Sequence, residues 1–108
     1  GPNGFDCSGF TSFVYKQNNL SLTRSSRSQF TEGEPIAVVS DLRKGDLVFF
    51  GGRGRRGGVG HVGIVTEVNH EAGSFKFIHA SISSGIKVDS STDAYYSRRY
   101  VGARRIVQ

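Results

Sequence analysis

The side chains in this chain that could carry chemistry are one cysteine, Cys7, and three histidines, His61, His70 and His79. A single cysteine cannot close an intrachain disulfide, which leaves three roles for Cys7: a small buried hydrophobe, a metal ligand or a reactive thiol. Its surroundings favour the third. Phe5-Asp6-Cys7-Ser8-Gly9-Phe10 follows the turn-forming Pro2-Asn3-Gly4 and heads a segment whose Phe10, Phe13 and Val14 share one helical face. With Asp6 as N-cap and Asn18-Asn19 as stop, Cys7 lies in the first turn of that helix. There, unpaired backbone N–H groups and the positive end of the helix dipole favour the nucleophilic thiolate, and the same N–H groups can hold an oxyanion. A structural cysteine has no need of that position.

A thiol nucleophile needs a proton acceptor, and imidazole is the side chain suited to it near neutral pH. His61 and His79 fall in segments that read as strands; His70 lies in the turn between them, where solvation accounts for it. Whether the two strand histidines can act together is a question of register. If the hairpin closes with Asn69 opposite Gly73, His79 faces Gly63 and His61 faces Ser81, and both imidazoles leave the same face as diagonal neighbours. A loop one residue longer sends them to opposite faces unless a bulge restores the parity.

The elements that must position these groups follow from local pattern. After the Cys7 helix, Ser25 to Glu32 reads as a short helix closed by Gly33, and Pro35 ends any helical continuation. Asp41 to Asp46 is a turn into the strand Leu47 to Phe50, and Gly51 to Gly60 is a loop because six of its ten residues are Gly. Strands follow over His61 to Asn69, Phe75 to Ala80 and Ile86 to Val88, then a short helix over Thr92 to Arg98. A closing strand runs from Val101 to Val107 with Val101, Ala103 and Val107 as its apolar residues. A helix followed by a meander is an α+β pattern, the helix packed on an antiparallel sheet.

At 108 residues the chain is one domain, with fifteen Gly, two Pro and a core of eight Phe and four Tyr besides its aliphatic residues, which argues against an all-α bundle. A formal charge of +5 points to anionic partners such as nucleic acid, acidic membrane surfaces or bacterial cell wall, without choosing among them. Apolar runs such as Leu47-Val48-Phe49-Phe50 are far below the roughly 20 residues a membrane span needs. No stable membrane insertion is expected, and any export signal lies outside this sequence.

Six blocks in order carry a more specific resemblance: Phe5-Asp6-Cys7-Ser8-Gly9-Phe10; Leu22-Thr23-Arg24-Ser25-Ser26 with Gln29 and Gly33; Lys44-Gly45-Asp46-Leu47-Val48-Phe49-Phe50; His61-Val62-Gly63-Ile64-Val65; Phe77-Ile78-His79-Ala80; and Tyr95-Tyr96 with Arg98-Arg99-Tyr100-Val101-Gly102-Ala103-Arg104-Arg105. Together they resemble the NlpC/P60 cell-wall peptidase domain over nearly the whole chain. The resemblance implies a papain-like α+β fold, an N-terminal nucleophile helix on an antiparallel sheet, and a cysteine peptidase acting on stem peptides of bacterial peptidoglycan. It implies Cys7 as nucleophile, His61 as general base and His79 as the third polar residue that orients it. The bond it implies is the γ-D-glutamyl bond to a diamino acid or the D-alanyl cross-link. Asp6, Ser8, Arg24 and Ser26 are expected to line the substrate groove, Arg24 holding a peptide carboxylate. A monomer in the cell envelope or secreted is the expected form. The family pattern continues upstream of the thiol through a helix and a Tyr-containing segment, whereas six residues precede Cys7, so residues 1–108 are expected to be the catalytic domain without that upstream segment.

Rival chemistries find less support in the residues. Cys7, His61 and His79 are permissible zinc ligands, but no close ligand pair accompanies them, so neither a metal nor another cofactor is expected. Gly51-Gly52-Arg53-Gly54-Arg55-Arg56-Gly57-Gly58 is like the arginine-glycine segments of RNA-binding proteins, yet it has no interleaved aromatic residues to stack bases and no phosphate-loop Lys-Ser or Lys-Thr pair. No nucleic-acid partner is expected. An amidase or acyltransferase using the same thiol and imidazole is the nearest alternative. A non-catalytic wall-binding domain of the same fold fits less well, because the nucleophile and base positions are both filled.

Overall fold

The computed structural model describes residues 33–51, 59–81 and 85–106. They form a six-stranded antiparallel sheet: β1 (Glu34–Ile36), β2 (Leu47–Gly51), β3 (Val59–Asn69), β4 (Ser74–Ser81), β5 (Gly85–Ser90) and β6 (Tyr100–Arg105), in spatial order β1-β6-β2-β3-β4-β5. One helix, α1 (Ala94–Arg99), joins β5 to β6. The expected nucleophile helix and the Ser25 to Glu32 helix lie outside the described residues.

Strand β2 shows why the sheet has two apolar faces. Leu47, Val48, Phe49 and Phe50 are all buried, an unbroken apolar run of the kind a central strand covered on both sides requires. Leu47 and Phe49 join Val62, Ile64 and Ala80 on one face. Val48 and Phe50 join Val65, Phe75, Phe77 and Ala103 on the other, with Tyr96 and Tyr100 packed against them. The second face carries both strand histidines.

Several local expectations are corrected. No helix continues through Pro35, as expected, but it stands within the edge strand β1, which the local pattern did not mark and where its missing N–H costs no ladder bond. Gly33 precedes it at φ 69°, and a Cβ there would collide with the Arg105 carbonyl oxygen. Gly51, Val59 and Gly60 are in strands, so the glycine-rich connection is shorter than Gly51 to Gly60, and residues 52–58 lie outside the described set. Helix α1 starts two residues later than expected because Asp93 is its N-cap, its Oδ1 accepting from the Tyr95 N–H at 2.8 Å. Val101 does not face the core: a register shift between Phe49 and Phe50 pairs Phe50 with Tyr100, turning Tyr100 inward and leaving Val101 41% exposed. Ala103 is buried as expected, and Val107 is outside the described residues.

An ion pair ties the start of β2 to the end of β6. Arg105 donates from Nε to Asp46 Oδ1 at 2.9 Å and from a terminal nitrogen to Oδ2 at 2.8 Å, and the Arg43 N–H also reaches Oδ2 at 2.8 Å. Asp46 is buried, and these bonds satisfy a carboxylate that would otherwise be costly there.

The β3–β4 hairpin combines two departures that cancel. Asn69 pairs with Ser74 and not Gly73, so the connection is the four residues His70 to Gly73, closed by the Gly73 N–H to the Asn69 carbonyl at 2.9 Å with Gly73 at φ 68°. That extra residue alone would put His61 and His79 on opposite faces. A register shift between Val65 and Glu67 takes up Thr66 and restores the pairings Val65 with Phe77 and Ile64 with Ile78.

Candidate active site

With parity restored, His61 on β3 and His79 on β4 meet. His61 Nε2 lies 2.7 Å from His79 Nδ1, the ring centroids are 4.8 Å apart, and the planes are at 89°. On its other side, His79 Nε2 lies 2.7 Å from Asp89 Oδ2. Asp89 comes from β5, where Lys87 is the register partner of His79 and Asp89 that of Phe77; alternation along the strand puts Asp89 on the histidine face. Lys87 Nζ is 3.4 Å from the same carboxylate oxygen.

Aromatic rings hold this row in place. His79 is fully buried, with Phe77 at 4.8 Å and the Tyr96 ring of α1 edge-on at 5.3 Å. Phe50, the cross-strand partner of His61, lies 6.2 Å from it by ring centroids. Gly63 is required by the closeness of this packing: a Cβ there would stand 2.7 Å from Phe77 Cδ2, 3.2 Å from the Ile78 oxygen and 3.4 Å from His79 Cβ.

The electrostatics follow from burial and from the carboxylate. Burial first, then the neighbouring His79, pushes the His61 pKa down to about 4, against an opposing pull from Asp89. His79 is also lowered by burial, in opposition to its hydrogen bond with Asp89. At Asp89, burial raises the pKa, but the bonds from His79 and Lys87 together outweigh it and hold the carboxyl below its ordinary range. Burial and the Asp89 carboxylate push the Tyr96 phenol up to about 12. At neutral pH the row is therefore two neutral imidazoles ending on a carboxylate, beside a neutral phenol. Such an arrangement can accept a proton at His61 Nδ1, where the Asp89 carboxylate offsets in part the penalty that burial and His79 place on the charge.

Of the sequence-predicted site residues, the structure brings His61 and His79 together. Cys7, Asp6, Ser8, Arg24 and Ser26 lie outside the described residues. His70 stays apart in its turn, exposed, its Nδ1 2.9 Å from the Ser40 carbonyl oxygen. Among the described residues no group of three or more His, Cys, Asp or Glu converges as a metal site, and the facing nitrogens of His61 and His79 bond to each other. Asp89 and Tyr96 were missed as members of the site. No local signal marks Asp89, because its place on the His79 face follows from the pairing of Ser81 with Gly85 in the folded sheet.

Comparison with known proteins gives this row its context. The sequence pattern of the NlpC/P60 family matches residues 1–105. The chain belongs to the NlpC/P60 family. Among NlpC/P60-type relatives, it is 40% identical over 106 residues to a murein DD-endopeptidase/murein LD-carboxypeptidase of Escherichia coli K12, covering 96% of this chain and 50% of that protein. It is 35% identical over 106 residues to a probable endopeptidase p60 of Listeria seeligeri, covering 98% of this chain and 18% of that one. The fold superposes on the crystal structure of an NlpC/P60 protein from Bacillus cereus with a TM-score of 0.81 at 31% identity, covering 97% of this chain and 32% of the other. The chain thus spans half or less of the length of these NlpC/P60 relatives. Among the described residues no helix is long and apolar enough to cross a membrane.

Proposed function

We propose that this NlpC/P60 domain is a cysteine endopeptidase that hydrolyses peptide bonds in peptidoglycan stem peptides. The observation that carries the reading is the half-buried hydrogen bond between His61 and His79, 2.7 Å long, in a chain whose Asp6-Cys7-Ser8-Gly9 block supplies a thiol. Residues 1–108 act as one catalytic domain in the cell envelope or outside the cell. His61 takes the proton of the Cys7 thiol, the thiolate attacks the substrate carbonyl, and the imidazolium returns the proton to the leaving amine. Water then releases the acyl-enzyme, with His61 again accepting its proton. His79 holds the His61 ring in line. Arg24 and Ser26, with Asp6 and Ser8 beside the thiol, contact the peptide. The E. coli relative is named both a murein DD-endopeptidase and a murein LD-carboxypeptidase, and the first of these favours the D-alanyl cross-link over the γ-D-glutamyl bond.

Purified muropeptides of defined linkage, incubated with the protein and read by mass spectrometry, test this reading. Cross-linked dimers should fall to monomers by addition of one water, and Cys7→Ala and His61→Ala should each abolish the reaction. Cleavage that survives Cys7→Ala would refute the thiol mechanism. Transfer of the acyl group to an added amine in preference to water would instead assign the acyltransferase chemistry.

A further inference from the structure

We propose that Asp89 is a positioning residue that dictates which nitrogen of each imidazole carries a proton, and so presents Nδ1 of His61 as the proton acceptor. This role rests on His61 being the general base.

An ionised carboxylate only accepts hydrogen bonds, so the 2.7 Å contact between Asp89 Oδ2 and His79 Nε2 requires the proton to sit on His79 Nε2. A neutral imidazole has one N–H, and His79 Nδ1 is therefore bare. It accepts from His61 Nε2 across the second 2.7 Å contact, which leaves His61 Nδ1 with its lone pair free. The opposite sense makes the same bond between the rings: a proton on His79 Nδ1 would donate to His61 Nε2. In that state His61 offers an N–H at Nδ1, a donor where the reaction needs an acceptor. The bond between the histidines cannot discriminate between these states, whereas the carboxylate can, because the reversed chain would set two lone pairs against each other at His79 Nε2 and Asp89.

Among the described residues, the titratable or charged groups facing His79 are His61 on β3, Lys87 and Asp89 on β5, and Tyr96 on α1. Lys87 donates only, and the Tyr96 phenol keeps its proton. Asp89 is thus the group of this set that imposes an acceptor at His79 Nε2. When His61 Nδ1 takes a proton, both of its nitrogens become donors. The His61 Nε2 bond to His79 strengthens, and no proton has to move along the row.

Long-range proton–nitrogen spectra of 15N-histidine-labelled protein read the tautomers directly, without reference to turnover. In the unmodified protein at pH 7, His61 and His79 should both be protonated at Nε2. Asp89→Val should convert both to mixtures and lower kcat on a cross-linked muropeptide about 10- to 100-fold, with KM within about two-fold. Asp89→Asn, whose amide oxygen still accepts from Nε2, should restore the tautomers and recover part of the rate. A proton on Nδ1 of His61 with none on its Nε2 in the unmodified protein would overturn the proposal, and so would Asp89→Val with unchanged tautomers and full kcat. Normal hydrolysis by His61→Ala would overturn the general-base reading instead, and the tautomers of the unmodified protein would still tell whether Asp89 sets the protonation.

Discussion

Replacing Gly63 by alanine adds one methyl group where the sheet has no room for it. The new Cβ would lie 2.7 Å from Phe77 Cδ2 and 3.2 Å from the Ile78 oxygen, and neither neighbour can easily give way. Phe77 is fully buried between Phe50 at 4.9 Å, Tyr96 at 5.0 Å, His79 at 4.8 Å and Phe75 at 5.9 Å, and the Ile78 oxygen belongs to the backbone. Overpacking of this kind costs about 1–3 kcal/mol. Alanine lowers the unfolded chain's entropy, which offsets about 0.4–1 kcal/mol of that. The net loss is about 1–2 kcal/mol, or about 4–10 °C in Tm for a domain of this size. Because the Phe77 ring that must move packs on His79 at 4.8 Å, the bond to His61 should be displaced and muropeptide hydrolysis should fall by about ten-fold or more. Differential scanning calorimetry with a double-mutant cycle against Phe77→Leu checks the cause. Removing the ring should relieve the alanine's cost, giving a coupling energy of about 1 kcal/mol. A Gly63→Ala protein as stable and as active as the parent would refute the packing argument.

Three further outcomes follow from the same geometry. His61 is held near pKa 4 against an ordinary 6.5, so the unfolded chain binds more protons between those values; stability should be full above about pH 6.5 and fall by up to about 3 kcal/mol as pH drops to about 4, a loss that His61→Gln should reduce in urea titrations across that window. Asp46→Asn removes the charge from the buried partner of the partly exposed Arg105 and should destabilise the fold by about 2 kcal/mol, read as a lower urea midpoint at unchanged m. His79→Ala should lower kcat about 10- to 1000-fold, with part of the loss recovered by His79→Asn; full activity in His79→Ala would make the site a Cys-His dyad.

The types of the reactive groups and the strands that carry them were legible because both are local properties. Leu47 to Phe50 is an unbroken apolar run, His61 to Asn69 and Phe75 to Ala80 alternate or fill as strands do, and the family blocks lie in order along the chain. Elements with weak local signals were not legible. The strand Glu34–Ile36 is three residues long with a proline in the middle, and only its pairing with β6 makes it a strand.

Which face a side chain leaves was decided by tertiary structure, since one inserted residue inverts the parity of everything beyond it. Local pattern supplied His61 and His79 as candidates, but their contact depends on Thr66 being absorbed in a bulge that compensates for the longer turn at His70 to Gly73. Val101 was assigned inward by alternation and is turned out by the shift beside Phe50. Asp89 has no motif of its own. Its meeting with His79, ten positions away in the chain, exists because β4 and β5 pair in one register. The chain alone therefore determines which chemistry is available, while the register of its hydrogen-bonded strands determines which of those groups meet.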